Sequence, residues 1–169
     1  MANRKVIYEA CFEDYLRATG VPYVAVDEAK KALFAGVRLK SFDFVVYSGT
    51  GPNLLVDVKG RRFPGAGSGG GRRWENWATR EDLDSLARWE EVFGSGFAAL
   101  LVFCYHLGGP EEAVRFDVVH GFRGERFGLV GVHRKAYADA CRTRSRSWDT
   151  VSVPAAVLRR IARPVASFF

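Results

Sequence analysis

The sequence predicts an α/β fold in which a mixed central sheet is flanked by helices. Three observations carry that prediction: a helical stripe near the start, two β-rich runs forming a hairpin around residue 50, and an almost wholly apolar run from Phe97 to Tyr105. The chain has 169 residues and is 48% hydrophobic, which suits one domain with a real core, since single domains commonly run to about 100–200 residues. One compact domain over residues 1–169 is therefore expected.

Tyr8, Cys11, Phe12, Tyr15, Leu16 and Thr19 recur at helical spacing until Gly20 and Pro22 stop the pattern, so residues from about 5 to 19 should form an amphipathic helix. A short extended piece, Tyr23 to Val26, follows, and then a polar stretch through Lys31 with no clear pattern. Phe42 to Tyr47 and Leu54 to Lys59 are β-rich runs separated by Ser48-Gly49-Thr50-Gly51-Pro52-Asn53, which reads as an antiparallel hairpin. Phe63 to Arg73 is Gly-rich with basic ends and lacks the apolar content to pack, so a mobile surface loop is expected there. Thr79 can cap a helix with Asp82 completing a capping box, and Gly94 ends it. Phe97 to Tyr105 has the pattern of a central strand covered on both faces. Further strands are predicted at Val114 to Val119, Leu129 to Val132 and Thr150 to Val153, with helices near Lys135 to Cys141 and after Pro154.

A net charge of +6 makes a polyanionic partner plausible, because clustered Lys and Arg release counterions when they meet phosphates. The three cysteines, Cys11, Cys104 and Cys141, are odd in number and far apart, so they read as core residues in a reducing compartment rather than as a disulfide or metal framework. His106, His120 and His133 show no paired ligand spacing, which argues against zinc. No run reaches the roughly 18 apolar residues needed to span a bilayer, and a cytoplasmic protein is expected.

The chemistry concentrates on the hairpin. Side chains alternate across a strand, so Asp57 and Lys59 point to one face while Val56 and Val58 point to the other. If the hairpin is symmetric about Thr50, residues whose numbers sum to one hundred face each other, and Asp43 lies opposite Asp57 with β-carbons about 5 Å apart. Two carboxylates in a partly apolar setting repel unless a cation neutralises them. A hard divalent ion such as Mg²⁺ is the natural partner, able to polarise a phosphate and to lower the pKa of a bound water. Lys59 could orient that water or stabilise charge developing on the phosphate.

An Asp at the start of one strand, then Asp57-Val58-Lys59 on the next, after a helix bearing Glu9, resembles the PD-(D/E)XK nuclease superfamily. The helix Ile7-Tyr8-Glu9-Ala10-Cys11-Phe12-Glu13 further resembles the planctomycete family named for its HYExAFE motif, as do Lys40-Ser41-Phe42-Asp43-Phe44 and Asp57-Val58-Lys59-Gly60-Arg61. Phe42 replaces the Pro of the superfamily signature, and Ile7 replaces the His of the narrower motif. The resemblance implies a restriction-endonuclease-like αβββαβ core in which Asp43 and Asp57 ligate Mg²⁺ and Lys59 assists the attacking water. Mn²⁺ would be expected to substitute. Glu9 matches the helix Glu that completes the metal site in several members, including archaeal Holliday-junction resolvases, whereas Glu13 lies further around the helix and reads as solvated.

The expected activity is therefore metal-dependent hydrolysis of phosphodiester bonds in DNA, branched DNA among the candidate substrates. Arg61, Arg62, Arg72 and Arg73 follow the active strand and could clamp a DNA backbone, and Arg144 and Arg146, beside Trp148, form a second basic cluster that could track phosphates. Related resolvases are dimers, so a homodimer fits the resemblance. Two other readings stay open: a nuclease-fold module that binds nucleic acid or a protein partner without cleaving, and a structural protein whose acidic hairpin is incidental.

Overall fold

The computed structural model describes residues 4–27, 32–34, 36–64 and 74–169. In chain order the elements are α1 (Arg4–Thr19), β1 (Tyr23–Ala25), β2 (Ala32–Phe34), β3 (Val37–Leu39), β4 (Phe44–Val46), β5 (Asn53–Arg62), β6 (Ala78–Thr79), α2 (Arg80–Phe93) and β7 (Phe97–Leu107). There follow α3 (Pro110–Ala113), β8 (Val119–Phe122), β9 (Glu125–His133), α4 (Arg134–Ala140), β10 (Arg142–Ser145), β11 (Thr150–Ser152), α5 (Ala155–Ile161), β12 (Arg163–Pro164) and a final turn of 3₁₀ helix, Val165–Phe168. The polar stretch before Lys31 and most of the Gly-rich segment, with Arg72 and Arg73, lie outside the described residues. No helix among the described residues is long and apolar enough to cross a membrane.

The principal sheet runs β1-β4-β5-β7-β9-β12, with β8 added on β9. It is mixed: β4 lies antiparallel to β1 and β5, β5 and β7 run parallel over ten residue pairs, and β9 returns antiparallel to β7. A parallel pair needs a crossover, and α2 supplies it. α1, β1, β4, β5, α2 and β7 together make the expected αβββαβ core. A smaller sheet, β10-β11-β6, sits beside the start of α2.

The pleat divides the core in two. Even-numbered residues of β4, β5 and β7 (Phe44, Val56, Val58, Leu100, Val102) pack with Cys11, Phe12, Tyr15 and Leu16 of α1. Odd-numbered ones (Val45, Leu55, Leu101, Phe103, Tyr105) pack with Leu83 and Leu86 of α2, Tyr137 of α4 and Leu158 of α5. This is why Phe97–Leu107 carries no polar alternation: both of its faces are covered. Each large side chain withdrawn from water there contributes about 1.5–3 kcal/mol of transfer free energy.

α1 ends where expected, with Gly20 at φ 70 and the Val21 N–H bonded back to the Leu16 carbonyl. The helix lies unusually close to β5. A Cβ added at Gly60 would stand 1.9 Å from the Tyr8 ring, so only a glycine allows this packing. α2 begins with the full capping box: Thr79 Oγ1 accepts from the Asp82 N–H, and the Asp82 carboxylate accepts from the Thr79 N–H. The strand expected at Val114–Val119 lies further on, at Val119–Phe122. Gly109-Pro110 opens the short α3 instead, and Phe116 turns inward to stack on Trp74 at 4.8 Å. β10 and the β2–β3 hairpin were not anticipated.

Candidate active site

Within β4 and β5 the register is the expected one: Phe44 pairs with Val56, Val45 with Leu55 and Val46 with Leu54, each pair summing to one hundred. Asp43 stands one residue before β4, and there the ladder changes. Its N–H bonds to the Val56 carbonyl at 2.9 Å, and its carboxylate accepts the Val58 N–H at 2.6 Å. The side chain thus stands in for a backbone acceptor and holds Asp43 against β5 rather than squarely across from Asp57. A carboxylate bonded to a backbone N–H is well fixed, since such charge-assisted bonds are the stronger kind.

Asp57 and Lys59 share the face of β5 turned toward α2, and the Lys59 ammonium lies 2.9 Å from the Asp57 carboxylate. Lys59 also reaches Asp82 Oδ2 at 2.7 Å, and Lys40 bonds to Asp82 Oδ1. Asp57, Lys59, Asp82 and Lys40 therefore form one continuous, charge-balanced network. Only 8% of Asp57 and 3% of Asp82 is exposed. Burial raises the pKa of Asp57, assisted by the Asp82 charge and opposed by Lys59. Burial works against the Lys59 ammonium, but Asp57 and Asp82 outweigh it and raise its pKa. Burial likewise works against ionised Asp82, yet Lys59 and Lys40 prevail and hold it well below the usual carboxylate range. At neutral pH Lys59 is thus a fixed cation.

Asp82 and Lys40 were not among the expected site residues. Asp82 carried only the signature of a helix cap, which says nothing about the two ammonium groups its carboxylate also holds. Lys40 was quoted within the family likeness without a role.

Glu9 projects from α1, on the other side of the sheet from Asp57, but shares a recess with Asp43. That recess, of about 200 Å³, is also lined by Ala10, Val26 and Phe44. Asp57 does not line it. The donor chemistry suits a hard divalent ion: carboxylate oxygens of Asp43 and Asp57, partly stripped of water, with Glu9 beside the first. Their present geometry is another matter. Among the described residues no three His, Cys, Asp or Glu side chains converge closely enough to hold a metal, and a divalent ion would compete with the Lys59 ammonium for Asp57.

The arginines divide. Arg62, Arg144 and Arg146 are exposed. Arg61, expected to clamp a phosphate backbone, instead turns inward: its guanidinium lies 3.9 Å from the Trp77 ring centroid and donates to the Gly60 and Trp77 carbonyls. Burial lowers its pKa, and the indole face takes over part of the solvation lost. The histidines are engaged separately, His106 with Glu125 at 2.8 Å and His120 with Asp14 at 2.7 Å.

No protein-family model matches the chain, and no curated protein sequence does. Its fold is nonetheless similar to that of Hjc, a Holliday junction resolvase from the archaeal hyperthermophile Archaeoglobus fulgidus. The TM-score is 0.55 at 13% identity, covering 96% of this chain and 97% of that one. At so low an identity the likeness speaks for the fold alone, and that fold is restriction-endonuclease-like.

Proposed function

We propose that this protein is a metal-dependent nuclease that hydrolyses phosphodiester bonds in DNA, branched DNA included. The observation that carries the reading is the pairing of Asp57 and Lys59 at 2.9 Å on one face of β5, beside the buried Asp43, on a resolvase-like fold. Asp43 and Asp57 would hold Mg²⁺ or Mn²⁺, with Glu9 as a further ligand across the recess it shares with Asp43. Bound there, the ion would polarise the phosphate and acidify a water. Lys59, kept protonated by Asp57 and Asp82, would offer its charge to the developing negative oxygen. Exposed Arg62, Arg144 and Arg146 would meet the phosphate backbone, along with Arg72 and Arg73. The reading takes residues 1–169 as one domain, working as a homodimer in the cytoplasm. Within the superfamily, the Glu9 helix and the Asp57-Val58-Lys59 strand favour kinship with the planctomycete HYExAFE family.

Incubation of the purified protein with plasmid, single-stranded and branched DNA in Mg²⁺ or Mn²⁺ tests this. Cleavage should fall at least about a hundredfold in Asp57→Ala, the scale of losing a group that stabilises the transition state. Equal cleavage by the two proteins would overturn the assignment.

One observation favours a second reading, a nuclease-fold module that binds nucleic acid without cutting it: Lys59 already neutralises Asp57, and the acidic side chains do not converge. That reading expects no binding of Mn²⁺ by calorimetry and salt-sensitive DNA binding unaffected by Asp57→Ala.

A further inference from the structure

A cavity of about 610 Å³ opens between the segment before β6 and the β10–β11 strands, lined by Trp74, Glu75, Trp77, Arg142, Arg144 and Pro154 among others. Its size falls within the roughly 300–1,000 Å³ of small-molecule sites.

The wall carrying the tryptophans is firmly held. Asn76 is buried, and its side chain both donates to the Val153 carbonyl at 3.1 Å and accepts the Val153 N–H at 2.8 Å. The Tyr137 hydroxyl donates to the Asn76 carbonyl at 2.6 Å, and the Tyr105 hydroxyl to the Glu75 carbonyl at 2.9 Å. Residues 74–77 are thereby fastened to the core from three directions. The opposite wall is charged: Arg142 and Arg144 both line it and are exposed, Arg144 at the bulge of β10 with its guanidinium 5.6 Å from the Trp77 ring centroid.

The cavity also adjoins β5. Arg61 lies two residues beyond Lys59 on the same face of that strand, about 7 Å along it, and its guanidinium rests on Trp77. One side of the cavity is therefore tied directly to the strand bearing Asp57 and Lys59.

We propose that this cavity is a subsite for one unpaired nucleotide, its base against the tryptophans and its phosphate on Arg142 and Arg144, so that the β5 site acts on strands unpaired next to the cleaved bond. Indole faces accept any base, and guanidinium groups match phosphate oxygens in pairs. Glu75, on the same lining, repels phosphate and so favours the arginine side for the charged end. A stacked base pair cannot enter, so the base must be unpaired or turned out of the duplex. The cleavage half of this proposal rests on the nuclease reading; the binding half does not.

Forked duplexes, each with one abasic residue at a successive position of the single-stranded arm, are titrated onto the full chain by fluorescence anisotropy in EDTA. Loss of the base at one position near the fork should weaken binding about tenfold, within the range that base–aromatic stacking supplies. Arg144→Ala and Trp77→Leu should bind the intact fork more weakly and abolish the position dependence. Arg159→Ala, an exposed change on α5, should leave it intact. Absence of binding, absence of position dependence in the wild type, or its persistence in Arg144→Ala overturns the subsite. Should Trp77→Leu fail to fold, Arg144→Ala decides alone, because its side chain is exposed. As no cleavage is measured, an inactive enzyme would leave this result standing, and an active one without position dependence would lose only the subsite.

Discussion

Val56, Val58 and Gly60 on one face of β5 meet the hydrocarbon and rings of α1, whereas Asp57, Lys59 and Arg61 on the other meet two further charges and an indole. Both sets of neighbours are largely shielded from water, but the energetic consequences are opposite. Toward α1, burial is favourable in itself and the side chains need only fit. Toward α2, burial is a cost that each charge offsets by its partners, and the offset falls short for Asp57 and for Arg61. A strained acid beside a well-compensated lysine is the pattern expected where function overrides stability.

The comparison is broken most severely from the apolar side. Phe12→Ala should cost about 3–5 kcal/mol, read as a lower denaturant midpoint, because a wholly buried ring leaves a cavity between α1 and the sheet. Cleavage per folded molecule should be unchanged. Asp82→Ala comes next, at about 3 kcal/mol by the same measurement, since it strands Lys59 with a single partner and removes half of the capping box. This variant also tests a pH effect. A depressed carboxylate pKa contributes stability that is present above the unfolded value, near 3.8, and lost as pH falls below it. The fall in melting temperature on acidification should therefore be smaller in the variant than in the wild type.

Thr79→Ala should cost about 1 kcal/mol, the ordinary worth of an N-cap, with the same measurement on urea unfolding. Asp57→Asn sharpens the contrast through its sign. A raised folded pKa means stability is lost as pH climbs from the unfolded value, near 3.8, through the folded one, so at neutral pH the metal-free variant should melt a few degrees higher while cleaving nothing. A lower melting temperature would show that the Lys59 pairing outweighs burial.

What was legible in the sequence followed period and punctuation. The α1 stripe, the hairpin register, the Thr79–Asp82 cap and the apolar central strand each depend on residues close in the chain, and each lies where local spacing put it. The strand misplaced at Val114–Val119 fails for the converse reason: Phe116 is drawn out of line by Trp74, some forty residues earlier, which no local pattern records. The candidate site was legible to the same depth. Asp57 and Lys59 share a face by alternation alone, whereas the link from Lys59 to Asp82 joins two elements that only the crossover brings together. Arg61 looked like a DNA clamp because an arginine beside a loop gives no hint that Trp77 lies beneath it.

The contact between Gly60 and Tyr8 works as a mechanical stop. With no side chain at position 60, the tyrosine ring seats on bare backbone and sets the standoff between helix and sheet, and Glu9 is the next residue on that helix. Any substituent at 60 would act as a shim, lifting α1 and swinging Glu9 away from Asp43 while leaving every acidic group in the sequence intact. The alignment of the two sides of the sheet is thus gauged by a residue that contributes no atom to the chemistry.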